Sequence, residues 1–175
     1  RDPMFANYIK SIINAKMVEV CSTTLPQKAI PRVFEHPAYA DHLMKRRKRY
    51  ERFSKIGYEK LNGIPGVMVN QTNGAFYMTV VFEEGMINRK QKLAIANPEV
   101  RKLIESLTAE DEKMQLDKRF VYYLLGATGI CVVPLTSFSS ELQGFRVTLL
   151  ETEKNRFTET FDTLSDSINQ YLASG

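Results

Sequence analysis

The chain has 175 residues, 43% hydrophobic and 25% charged, with a net charge of +4. These are ordinary proportions for a globular protein with one core. No apolar run approaches the roughly 20 residues needed to span a bilayer. The opening RDPMFANYIK contains no signal-peptide core. It also lacks an initiator methionine and begins on a helix-like phrase, so we expect a piece of something longer.

The first helical pattern covers residues 4–16, where Phe5, Tyr8, Ile9, Ile12 and Ile13 fall at helical spacing. Ser22-Thr23-Thr24 before Pro26 predicts a second helix start. A long helix follows, from His36 into the sixties, with Tyr39, Leu43, Tyr50, Phe53, Gly57 and Leu61 as its inner stripe. Asn62-Gly63 and Pro65-Gly66 stop it. The period then changes to two. GVMVNQTNGAFYMTVVFEEG predicts two strands around a turn containing Asn73-Gly74. After a polar connector, helices are predicted at about 98–107 and 115–126. ICVVPLTSF and FRVTLLE read as strands. A final amphipathic helix turns Phe157, Phe161, Leu164, Ile168 and Tyr171/Leu172 inward. The expected class is α+β: a small, mainly antiparallel sheet of three or four strands, helices on one side, and a long lead-in helix.

Few residues invite chemistry. Cys21 and Cys131 lie far apart in apolar surroundings and read as buried free thiols in a reducing cytoplasm. His36 and His42 lack ligand spacing and read as surface residues, so no metal site is expected. Residues 45–60 carry eight Lys or Arg and two Glu, a local +6 that leaves the rest of this +4 chain at −2. On the predicted helix these cations wind around most of the circumference. No glycine-rich grip or separate aromatic platform accompanies them. A solvated helix face is the reading adopted. A stand-alone interaction or nucleic-acid-binding module using the 45–52 run is the alternative, with steep salt dependence as its signature. Lys55 sits within the helical pattern and reads as a surface lysine. The acidic pairs Glu83-Glu84 and Glu110-Asp111-Glu112 read as solvated turns. No nucleophile, base and orienter can be assembled from this chain, so no catalytic residue is assigned. Arg146 is the exception that needs explaining. It stands in an otherwise apolar strand, GFRVTLLE, and a cation there needs either a structural carboxylate or the carboxylate of a ligand.

Three blocks carry a resemblance. NGAFYMTVVFEEG looks like the Gly-x-Phe/Tyr strand of the C-terminal domain of class I/II aminotransferases, the fold-type-I pyridoxal-phosphate enzymes. FVYYLLGATGICVVPLTSFSSELQGFRVTLLE resembles that family's next block, which ends in a glycine-arginine strand matched here by Gly144-Phe145-Arg146. The long basic helix and the final helix match in order and spacing. The resemblance covers essentially the whole chain. It implies that residues 1–30 are the tail of a large cofactor-binding domain, 31–64 the interdomain helix and 65–175 the small domain. It implies that Arg146 binds the α-carboxylate of an amino acid or 2-oxo acid, with Phe76 approaching from the neighbouring strand. The pyridoxal-phosphate residues, including the lysine, would precede Arg1. The fragment alone would then be inactive, while the whole enzyme would be a cytoplasmic homodimer binding neither nucleic acid nor membrane. A related pyridoxal-phosphate lyase or decarboxylase is the alternative within the family.

Overall fold

The structure, a computed structural model, describes residues 3–18, 23–109 and 114–175. It divides into two compact units, one up to Lys45 and one from Arg46 onward. In the first unit a 3-10 turn, Pro3–Phe5, leads into α1 (Ala6–Val18), followed by α2 (Thr24–Phe34). Pro26 lies in the first turn of α2, where its missing N–H costs no helical bond. Pro37 disfavours a helical His36, and the chain turns at 35–38 before α3 (Tyr39–Leu61) begins. No described side chain of this unit is buried. Leu43, expected on the inner stripe of α3, is exposed. Cys21 lies outside the described residues.

The second unit has a core. From residue 46 onward α3 buries Phe53, Ser54, Gly57 and Leu61, the four-residue rhythm of one helical face. Next come β1 (Val67–Val69) and β2 (Tyr77–Phe82), paired antiparallel with Val67 opposite Phe82. α4 (Pro98–Ala109) and α5 (Leu116–Thr128) follow, and Gly129 stops α5 in a left-handed conformation. The stretch ICVVPLTSF forms a shorter strand than its composition suggests. Only β3 (Val133–Pro134) pairs, before a 3-10 turn at Leu135–Phe138 takes over. Pro134 has no N–H for a ladder. β4 (Gly144–Thr148) and α6 (Lys154–Ala173) complete the unit.

The sheet has the order β1-β2-β4-β3 and every pairing is antiparallel. One face is core: Met78, Val80 and Phe82 of β2 alternate with outward residues, and Phe145 and Val147 of β4 lie opposite. Phe120 of α5 meets both Phe82 and Phe145, with ring centroids 5.2 and 5.5 Å apart. Phe157 of α6 stacks on Phe53 of α3 at 4.3 Å and on Phe161 at 4.3 Å. The helices therefore cover one side of the sheet, as the class expectation required. Cys131 is exposed, against the expectation of a buried thiol, because it lies just before β3 starts and packs on neither face.

Candidate functional site

The open face of the sheet carries the candidate site. With Phe145 and Val147 turned into the core, alternation sends Arg146 to the opposite face. Its cross-strand partners are Thr79 on β2 and Val133 on β3. The strand can lie this close to β2 because it begins at glycine. A Cβ on Gly144 would sit 2.2 Å from the Val80 carbonyl oxygen and 2.9 Å from the Val81 Cα.

The Arg146 guanidinium lies over two rings, with its carbon 4.2 Å from the Tyr77 centroid and 4.1 Å from that of Phe138. Among the described residues it forms no ion pair and no hydrogen bond. The choice left open by the sequence narrows accordingly: no described carboxylate of this chain serves Arg146. Phe76 is half-buried just before β2. Its ring is tilted against that of Tyr77, with centroids 4.3 Å apart. Phe76 also faces Tyr50 of α3 at 6.4 Å.

Tyr50 links the sheet to the basic run. Its hydroxyl accepts a hydrogen bond from Arg46 Nη2 at 2.8 Å, and Arg46 and Arg49 lie over its ring at 5.6 and 5.2 Å. The Arg46 bond, helped by Arg49, holds the phenol below its ordinary value. Arg52 lies over the Phe53 ring, and Lys55 pairs with Glu51 one turn away at 3.0 Å. Several of these cations are thus engaged with their own helix. Lys60 bonds to Asp162 of α6. No described lysine is buried. No cluster among the described residues could hold a metal ion. His36, His42, Glu83 and Glu84 are exposed, as expected, while Glu110-Asp111-Glu112 lies outside the described residues.

Two features escaped the sequence. Tyr77 and Phe138 were unremarkable aromatics, yet they frame the arginine. Tyr77 could have been found from register, since it is two residues from Thr79, which faces Arg146. Phe138 had no such signal, because a 3-10 turn rather than a period positions it. The second omission is Asp117, fully buried at the start of α5. Its Oδ2 accepts from Thr136 N at 3.0 Å and Gly144 N at 3.4 Å. Its Oδ1 accepts from Thr136 Oγ1 at 2.7 Å. Asp117 therefore ties the turn carrying Phe138 to the strand carrying Arg146.

No family model matches the chain. An uncharacterised aminotransferase of Methanocaldococcus jannaschii is 48% identical over 172 residues, which is 98% of this chain and 39% of that protein. The chain thus spans about two-fifths of the length of this curated relative. The solved aspartate aminotransferase of Rhizobium meliloti is similar in fold, with a TM-score of 0.61 and 21% identity, over 86% of this chain and 32% of that one. The multiple substrate aminotransferase of Thermococcus profundus gives a TM-score of 0.59 and 17% identity, over 92% of this chain and 34% of its own. Sequence and fold agree: the chain is a relative of the aminotransferases and corresponds to the C-terminal portion of their chains.

Proposed function

We propose that the protein carrying this chain is a pyridoxal-phosphate-dependent aminotransferase, and that this portion supplies the arginine for the substrate's α-carboxylate. One observation carries the reading. Arg146 presents a guanidinium fork on the open face of a sheet, and no described residue of its own chain hydrogen-bonds or pairs with it. A planar fork with free donors matches a carboxylate in bidentate fashion.

The substrates on this reading are an amino acid and a 2-oxo acid, which share that carboxylate. The cofactor supplies the electron sink for moving the amino group. Its lysine and the groups that hold it would belong to the part of aminotransferase chains beyond this match. Residues 1–30 would be the tail of that part, 31–64 the linking segment and 65–175 the small domain. The exposed Phe5, Ile12, Ile13, Met17, Leu25 and Val33 support this assignment, because an apolar face without a core of its own needs cover. The whole enzyme would be a cytoplasmic homodimer and this portion alone inactive. No described helix is long and apolar enough to cross a membrane.

Arg146→Lys in the full-length enzyme tests the role. Replacing the fork by a point charge should raise the substrate KM by about 10- to 100-fold. A wild-type KM in that variant would remove Arg146 from substrate binding.

A further inference from the structure

We propose that Tyr77 and Phe138 are positioning residues for substrate binding: they hold the Arg146 guanidinium in one plane and leave only its N–H edge open to a planar carboxylate. The proposal rests on the carboxylate-binding reading of Arg146 and goes beyond it by saying how that group is oriented.

A guanidinium carries all five N–H donors in its own plane and none on its faces. The rings of Tyr77 and Phe138 lie over the guanidinium at 4.2 and 4.1 Å, so they oppose motion out of the plane without using a donor. A free arginine side chain loses much rotamer freedom when it binds, and that loss weakens binding. Here the freedom is already restricted. The open edge is the direction from which a planar, two-oxygen anion makes both hydrogen bonds at once.

The two rings are mounted differently. Tyr77 belongs to β2 and is backed by Phe76 at 4.3 Å, which in turn faces Tyr50. Phe138 is 48% exposed and ends the 3-10 turn Leu135–Phe138. The next residue, Ser139, has φ of 58°, in the left-handed region that side chains rarely adopt. That turn keeps its place through Thr136, whose N–H and hydroxyl both donate to buried Asp117. Asp117 also accepts from Gly144 at the start of the arginine's strand. One buried carboxylate thus sets the spacing between the outer ring and the arginine.

The test uses the full-length protein loaded with pyridoxal phosphate. Its amino donor is the standard amino acid turned over fastest with pyruvate or 2-oxoglutarate as acceptor. Tyr77→Leu, Phe138→Leu, Tyr77→Phe, Phe138→Tyr and Arg146→Lys are compared with wild type in kcat, KM and melting temperature. Each leucine variant should raise the KM of both donor and acceptor by about 3- to 30-fold, with kcat within about threefold. The aromatic replacements should restore KM. Wild-type KM in both leucine variants, with a raised KM in Arg146→Lys, overturns the clamp and leaves the carboxylate reading standing. A lowered kcat at constant KM overturns it as well. An unchanged KM in Arg146→Lys, or no turnover by wild type, removes the carboxylate reading and the clamp with it. Should Tyr77→Leu fail to fold, Phe138→Leu decides, because Phe138 is half in solvent.

Discussion

Asp117 and Tyr171 are both buried, and they mark opposite ways of burying a polar group. Asp117 accepts from Thr136, Gly144 and the Lys118 N–H, so every donor around it would lose its partner together. Asp117→Ala should destabilise the protein by about 2–4 kcal/mol in urea unfolding, since orphaned buried donors cost more than the bonds they formed. Tyr171 has a fully buried ring, and its hydroxyl has no hydrogen-bond partner among the described residues. Burial pushes its pKa up to about 12, partly opposed by the nearby Arg119 cation. The unfolded phenol ionises near 10, so between pH 10 and 12 the folded state holds a proton that the unfolded state releases. Stability from this group is complete below pH 10 and is lost as pH rises toward 12. Tyr171→Phe should leave stability at pH 7 unchanged or slightly raised and flatten that alkaline decline, read from melting temperature against pH. The inward side of Tyr171 was legible from helical period, whereas the hydrogen bonds of Asp117 were not. Asp117 carries no local signal, because its partners lie 19 and 27 residues away.

Two glycines decide how closely neighbouring elements pack. Gly144 lets β4 lie against β2, where any Cβ would meet the Val80 carbonyl and the Val81 backbone. Backbone cannot swing aside as a side chain can, so Gly144→Ala should cost more than about 2 kcal/mol and, on the role proposed for Arg146, raise the substrate KM by displacing it. Gly57 does the same for α3 against α6, where a Cβ would stand 2.8 Å from the Phe161 ring and 3.1 Å from the Met78 methyl. Gly57→Val should destabilise by about 1–3 kcal/mol, outweighing the roughly 1 kcal/mol that glycine costs inside a helix. Circular-dichroism melts check both. At this scale much was readable. The stripe Phe53, Gly57, Leu61 and the stripe Phe157, Phe161, Leu164, Ile168 are the faces that meet in the core. The reading failed where pairing rather than periodicity decides, as in ICVVPLTSF, which becomes two paired residues and a turn.

For the whole molecule the contrast lies between the two units. From Arg46 onward there is a continuous core of fully buried rings and aliphatic chains, including Phe53, Phe120, Phe145 and Tyr171. Up to Lys45 no described residue is buried. Hydrogen exchange on the isolated chain should therefore protect amides of β2, β4 and α6 for hours, while those of α1 and α2 exchange within minutes. Comparable protection of α1 and α2 in the isolated chain would show that they need no further cover.

Local pattern in the sequence was enough for the α+β class, the order of helices and strands and most core positions, and it singled out Arg146 as a cation in need of a partner. All of these follow from local period and from the rule that a lone cation among apolar residues requires an explanation. What surrounds that cation depends on the folded arrangement. Strand register brought Tyr77 against it, a non-periodic turn brought Phe138 against it as well, and Asp117 joined the turn to the strand. Those contacts bridge long stretches of chain, and their geometry comes from sheet pairing and core packing, which no local pattern encodes.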